Sequence, residues 1–213
     1  REVIDNFDDD PEIHVVVITG AGRAFCAGAD IKEMAQNEQD ANGPKRDDNN
    51  SSSTSLAFRK KPIIAAINGL AFGGGALMAS IADIRFGCEN SRFRFLGVVA
   101  GRINSTWTLS VTLGMSKAKE LLFSGRVVEA EEALSIGLLD RLVPSGRLLE
   151  ETMEYAQMVA SNAPDMVQGI KQMLHDYAGM ALEDRARHES DLRSTILKPP
   201  PVKEAFKDFL KSR

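Results

Sequence analysis

The sequence predicts an α/β fold: short buried strands joined through helical crossovers, with a helical C-terminal region. Three observations predict it. Short apolar runs, rich in isoleucine and valine, end in glycine or an Asn-Gly pair. One such run leads through a triple-glycine turn into good helix formers. From Ser105 onward, apolar residues recur at three-to-four spacing. A length of 213 residues with 43% hydrophobic content suits one compact domain with an ordinary core and a small appendage.

The first strand is His14–Gly20, HVVVITG, a β-branched run stopped by glycine. Asn37–Ser55 is polar and almost free of apolar residues, which reads as a mobile loop within one domain. Lys61–Gly69 is the second strand, with Pro62 at its entrance and Asn68-Gly69 as its turn. Gly73–Ala82 is a helix with a glycine-rich entry, and Asp83–Cys88 is a third strand. SKAKELLFSG predicts a helix capped by Ser116 and stopped at Gly125. Glu129–Gly137 is a short helix ending at Gly137, and Leu138–Pro144 returns as a strand. Leu149, Met153, Ala156 and Val159 form one apolar stripe; Met166, Ile170, Met173 and Tyr177 form another after Pro164. The tail from Val202 places Ala205, Phe206 and Phe209 on one face. No internal sequence repeat is evident.

Composition excludes several functions. Twenty-six basic and 30 acidic residues give a net charge of −4, with none of the basic excess that a nucleic-acid or anionic-membrane surface wants. Cys26 and Cys88 lie far apart with no CxxC or histidine partner, so neither a disulfide framework nor a metal site is expected. No apolar run approaches the roughly 20 residues a membrane span needs. No secretory leader is visible, although the chain begins at Arg1 without Met. A reducing compartment is expected: the cytoplasm, with the mitochondrial matrix as the alternative.

Two glycine-containing turns are the candidate chemistry. AFCAGADIKEM (Ala24–Met34) and AFGGGALMA (Ala71–Ala79) each follow a predicted strand with small residues. Backbone N–H groups at such bends, reinforced by a helix N-terminus, suit a negatively charged oxygen. Side by side, the two bends would offer two donors to one carbonyl oxygen as an enolate or tetrahedral oxyanion develops. The bland alternative is turn chemistry or close helix–strand packing. A dinucleotide loop does not fit, because both GGGALM and GAGRAF lack the final glycine of G-x-G-x-x-G; a phosphate loop would need Gly-Lys-Ser/Thr.

FCAGADIKEM and NGLAFGGGALMASIADIR, followed by GMSKAKELLFSGRVVEAEEALSIGLLDRLVP, together resemble the crotonase superfamily, the enoyl-CoA hydratase/isomerase group, from about Glu12 to Phe209. The resemblance implies a spiral of ββα units over residues 1–140 and a C-terminal helical trimerisation region over 141–213, in a homotrimer or a dimer of trimers. It implies an acyl-CoA thioester as ligand, with coenzyme A as substrate carrier, and no other cofactor or metal. Carried over residue by residue, the oxyanion donors are the N–H groups of Ala27 and Gly74. Ala27, Gly28, Ala29 and Asp30 would edge the CoA pocket, with Ala29 and Ile31 near the adenine or pantetheine. Family members carry further strands before HVVVITG; REVIDNFDDDPEI stands there in this chain, so an N-terminal segment that contributes to the CoA pocket is expected to be missing.

The same resemblance exposes a departure. Hydratases of the family use two glutamates, one activating water and the other protonating the α-carbon. Leu77 stands at the first position and Gly97, in FRFLGVV, at the second. Members resembling naphthoate synthase also have glycine there, with an external anion in the carboxylate's place, but this chain has CAGAD where those synthases have a serine-glycine signature. The family's LGxxPG pattern becomes AGRINS, which puts Arg102, Asn104 and Ser105 near the expected pocket floor. Asn104 is a candidate catalytic residue; the alternative is a helix cap at Asn104 or Ser105. Asp83, read as structural and paired with Arg85, and Asp30, Glu33 and Glu89 are weaker acid–base candidates. His14, His175 and His188 stand isolated. Two functions stay open: an enzyme, a lyase or isomerase that stabilises a thioester enolate, and a non-catalytic acyl-CoA-binding or structural paralogue.

Overall fold

The computed structural model describes residues 7–28 and 52–211. Its strands come in consecutive pairs: β1 (Val16–Thr19) with β2 (Ala24–Cys26), β3 (Ile63–Ile67) with β4 (Leu70–Phe72), and β5 (Ile84–Gly87) with β6 (Arg92–Arg94). The first member of each pair joins one sheet, ordered β1-β3-β5-β8. The second joins another, ordered β2-β4-β6-β7, where β7 is Val127–Glu129 and β8 is Arg141–Leu142. The first sheet is parallel throughout; in the second, only β7 runs antiparallel, against β6. Helix α1 (Ser52–Ala57) precedes β3, α2 (Gly74–Ile81) follows β4, and α3 (Thr106–Ser124) follows β6. This is the expected winding of ββα units, repeated in topology although not in sequence.

β3 shows why the alternating strands build two cores. All five of its residues, IIAAI, are buried. Ile63, Ala65 and Ile67 face one cluster, with Phe25, Ala71, Phe93, Leu109 and Leu121. Ile64 and Ala66 face the other, with Phe86, Cys88, Leu148 and Ala156. Period-two alternation thus serves both faces of one strand. Each buried isoleucine contributes about 1.5–3 kcal/mol.

Helix α4 (Ala130–Ser135) leads to β8, and α5 (Leu148–Ala160) covers the second cluster. The buried face of α5 is Leu148, Thr152 and Ala156; of the expected stripe, Ala156 is buried and Val159 half-buried, while Leu149 and Met153 are exposed. Thr152 tolerates burial because its hydroxyl donates to Leu148 O at 2.6 Å. Two other boundaries differ. Residues 52–55, expected in the loop, lie in α1. Helix α3 begins ten residues before Ser116 and kinks at Gly114, where φ is 74°; its stop at Gly125 is as expected, the Gly125 N–H bonding Leu121 O at 3.0 Å.

Arg85 fastens β5 to the segment entering β8. Its Nε donates to Leu138 O at 2.9 Å and its Nη1 to Ala82 O at 2.6 Å, while Nη2 pairs with Asp140 at 3.1 Å. Burial pushes its pKa down, against the opposing pull of Asp140 and Asp83. Asp140 makes the ion pair with Nη2, and the charge of Asp83, the expected partner, also acts on the guanidinium; the Asp83 carboxylate accepts the Ile63 N–H at 2.7 Å. Asp140→Ala is expected to destabilise the fold by about 3 kcal/mol, the low end for breaking a buried pair because Asp140 is partly exposed. Urea melts of both proteins check this.

The chain divides into two compact units, Arg1–Ser161 and Asn162–Arg213. The first unit runs through α5, since β8 pairs with β5 and α5 packs on the same sheet. The second unit contains α6 (Pro164–Asp176), α7 (Leu182–Thr195), α8 (Val202–Ala205) and α9 (Lys207–Lys211). Met166, Ile170, Met173 and Tyr177 line one groove there, as their spacing predicted. Of the tail face, Ala205 and Phe206 are exposed; the Phe209 side chain lies outside the described residues. No helix among the described residues is long and apolar enough to cross a membrane.

Candidate active site

The two glycine bends meet. A Cβ placed on Gly75 would fall 1.9 Å from the Cys26 carbonyl oxygen, and one on Gly28 would fall 3.0 Å from Phe72 O and 3.7 Å from the Gly74 nitrogen. Parallel pairing of β2 with β4 brings their ends together, since Cys26 stands opposite Ala71. Gly28, at φ 93°, and Gly73, at φ 53°, occupy left-handed backbone that a side chain would strain.

Gly73 is the N-cap of α2 and its N–H is engaged by Arg94 O at 2.9 Å. Gly74 is the first residue of the helix, so its N–H has no intrahelical acceptor. It is exposed, with nothing within 4 Å of a would-be Cβ. The helix dipole adds partial positive charge at this end. Ala27 lies between Cys26 and Gly28 on the facing bend and is exposed. The contact brings Gly28, the residue after Ala27, beside Gly74; Ala29, Asp30, Ile31 and Glu33 lie outside the described residues.

Leu77 and Gly97 adjoin these bends. The Leu77 N–H closes the first turn of α2 on Gly73 O at 3.1 Å. A Cβ on Gly73 would sit 3.8 Å from the Leu96 side chain, so Gly97 follows directly on a residue touching the bend. The segment after Gly97 folds tightly back: Arg102 N–H donates to Gly97 O at 2.7 Å, and Gly101 turns at φ 63°. A Cβ on Gly97 would fall 2.8 Å from Asn104 Oδ1 and 2.9 Å from Arg102 O. The Asn104 carboxamide therefore occupies the space a longer residue at 97 would enter.

Ser105 holds the N-cap position of α3 but does not cap through its side chain. It is the one non-glycine residue with positive φ among the described residues, at 58°. Its carbonyl accepts from Leu109 N at 3.1 Å and from Thr108 Oγ1 at 3.2 Å. Thr108 Oγ1 also lies 2.9 Å from Ser80 Oγ, and Ser80 Oγ lies 2.8 Å from Leu77 O; the two hydroxyl protons supply two of these three contacts at a time. These hydroxyls, buried in the packed faces of α2 and α3, tie residue 105 to the turn that carries Leu77. The sequence reading passed over Ser80 and Thr108; their only signal is two small polar residues on otherwise apolar helix faces. Trp107, two residues after Ser105, stacks on Phe58, with ring centroids 6.1 Å apart and planes within 8°.

The remaining polar candidates do structural work. Glu89 accepts the Ser145 hydroxyl and amide, which hold its carboxyl below the usual range. Arg126 bridges Glu120 and Glu132 and lowers both carboxyls. His14 Nδ1 lies 3.1 Å from Ala160 O, His188 contacts Asp176 and Tyr177, and His175 is on α6. None belongs to the two bends or to residues 96–105. Among the described residues no cluster of three His, Cys, Asp or Glu side chains is arranged to hold a metal.

The model of the enoyl-CoA hydratase/isomerase family matches residues 1–213. The short-chain-enoyl-CoA hydratase of Clostridium acetobutylicum is 34% identical over 216 residues, spanning 99% of this chain and 82% of that protein. The carnitinyl-CoA dehydratase of Escherichia coli is 35% identical over 207 residues, spanning 94% of this chain and 77% of its own length. The crystal structure of an enoyl-CoA hydratase from Bacillus anthracis superposes with a TM-score of 0.86 at 28% identity, covering 100% of this chain and 84% of that one.

Proposed function

The chain belongs to the enoyl-CoA hydratase/isomerase family, and from that premise we propose an acyl-CoA-binding enzyme that holds the thioester oxygen between the Ala27 and Gly74 N–H groups and stabilises an enolate. The supporting observation is the contact between the bends: the Cys26 carbonyl lies against Gly75, where no side chain fits. A carbonyl oxygen gains negative charge as its α-proton leaves, and two fixed N–H dipoles favour that charge more than the neutral ground state. Gly28 belongs to the edge of the coenzyme pocket in this reading, continued by Ala29, Asp30 and Ile31.

Ordinary hydration is not proposed. General acid–base help from a carboxylate contributes about 10²–10⁴-fold, and neither Leu77 nor Gly97 moves a proton. Isomerisation, decarboxylation or thioester cleavage needs fewer groups than water addition. Crotonyl-CoA is expected to bind while hydrating at least about 10⁴-fold more slowly than with a two-glutamate enzyme. Leu77→Glu combined with Gly97→Glu is not expected to restore hydration, because residue 97 is closed in by Asn104 and the Arg102 carbonyl. Following loss of the enoyl absorbance checks both; full turnover by the unaltered protein removes this reading of Leu77 and Gly97.

Those same two residues favour the second reading, a non-catalytic acyl-CoA binder. It expects thioester binding without turnover across a panel of acyl groups. For assembly, the apolar groove on α6 and α7, about 260 Å³, with Ile170 and Leu174 more than half exposed, supports a homotrimer or a dimer of trimers. Light scattering is expected to give three or six times 23.2 kDa, and a single-chain mass removes that assembly.

A further inference from the structure

The Asn68 side chain bridges two turns. Asn68 lies where the chain passes from β3 to β4, and residues 20–23 lie where it passes from β1 to β2. The Gly20 N–H donates to Asn68 Oδ1 at 3.1 Å. Asn68 Nδ2 donates to Gly22 O at 3.0 Å and lies 3.5 Å from Ala24 O. One donor and two acceptors on a single turn match a carboxamide held one way round. The turns also touch through backbone, since a Cβ on Gly69 would fall 2.2 Å from Arg23 O. Ala24 opens β2 opposite Leu70, and Cys26 ends it opposite Ala71. β2 thus advances two residues while β4 advances one, an irregularity immediately before Ala27. The competitor of so irregular a pairing is a regular one. A slip of one residue would carry the Ala27 N–H about 3.3 Å along β4.

We propose that Asn68 is a positioning residue for the oxyanion site: its carboxamide fixes where β2 begins, and so sets the Ala27 N–H relative to that of Gly74. This role rests on the reading that these two groups hold the thioester oxygen. Two donors serve one oxygen only when each is placed within about 0.5 Å. A strand of three residues with an irregular ladder specifies its own register weakly, so the turn that starts it must be held from outside. Thr19 gives the contrast. Its hydroxyl donates to Ala66 O at 2.9 Å and also joins β1 to β3, but within four consecutive regular pairs. Losing that bond weakens the ladder without moving β2. A carboxylate at position 68 would still accept the Gly20 N–H, but would turn its second oxygen onto the Gly22 and Ala24 carbonyls, where neither side has a proton to give. The turn then opens and β2 moves with it. Alanine there leaves the three backbone groups to water, because position 68 is half-buried.

The test is the near-ultraviolet spectrum of acetoacetyl-CoA saturated with the full chain, which reads the ratio of enolate to ketone in the bound ester. Calorimetric binding of butyryl-CoA and thermal melts accompany it. Asn68→Asp and Asn68→Ala are each expected to bind butyryl-CoA within about threefold of the unaltered protein, yet to lower the enolate ratio at least about tenfold. Thr19→Val is expected to melt lower and keep the full ratio. A full ratio in either folded Asn68 variant, however low its melting temperature, leaves the residue a structural role and overturns the proposal. An equal loss in Thr19→Val does the same, since any weakening of these strands would then lower the signal. Butyryl-CoA binding lost together with the signal, or failure of both Asn68 variants to fold, makes the effect a general collapse and also overturns it. An unaltered protein that shows no bound enolate removes the oxyanion reading itself, and the role of Asn68 with it.

Discussion

Gly74→Pro is expected to leave the fold intact and to abolish enolate stabilisation. Proline is favoured at the first position of a helix, where its fixed φ suits the backbone and its missing N–H costs no intrahelical bond. Gly74 is that position in α2, is exposed, and has open space around its would-be Cβ. The substitution therefore deletes one proposed oxyanion donor with little else. Loss of one such donor costs about 2.7–4 kcal/mol, or about 10²–10³-fold. Acetoacetyl-CoA supplies a readout that does not depend on knowing the reaction, because its enolate absorbs in the near ultraviolet. The unaltered protein is expected to raise the bound enolate fraction; Gly74→Pro is expected to bind the ester without that signal. Enolate absorbance retained in full by the proline variant removes Gly74 from the oxyanion site. Gly74→Ala, which keeps the N–H, is the matched control.

The triple glycine also marks how far residues read in order can go. GGG predicts a turn before a helix, and α2 follows as expected. Three identical letters conceal three separate demands. Gly73 needs a left-handed backbone, Gly74 presents its amide, and Gly75 clears the Cys26 carbonyl. Only the first is local. The other two depend on residues nearly fifty positions away, and the family resemblance, not spacing, paired the bends. Strands β1 and β3 were legible because their runs are almost wholly apolar, and β5 because Ile84 and Phe86 flank its one charged residue, Arg85. The buried face of α5 was legible only in part, at Ala156: Leu148 and Thr152 stand one position before the expected Leu149 and Met153 with the same spacing, and Thr152 hides its hydroxyl in a bond to its own helix. At Ser105, the residue type suggested a cap, whereas the left-handed backbone that denies it that role is a tertiary effect.

Gly75→Ala is expected to be strongly destabilising for a single added methyl group. Its Cβ would lie 1.9 Å from Cys26 O and 2.8 Å from Cys26 C, atoms of backbone that no rotamer change moves. Relief requires the bends to separate by about an ångström, at the point where β2 and β4 leave their sheet. Ordinary overpacking costs about 1–3 kcal/mol; a backbone clash of this depth is expected to exceed it, at about 4 kcal/mol or more. For a chain of this size, that lowers the melting temperature by about 8–16 °C. Gly74→Ala, one residue earlier, meets no atom and gains helix propensity, so it is expected to match or slightly exceed the unaltered protein. Thermal melts of the pair separate close approach from the general cost of replacing glycine. Below its lowered melting point, folded Gly75→Ala is also expected to lose the acetoacetyl-CoA enolate signal, since the displaced bend carries Gly74 away from Ala27. A Gly75→Ala protein that melts with the unaltered chain means that the two bends are not in contact, and the shared oxygen site falls with that contact.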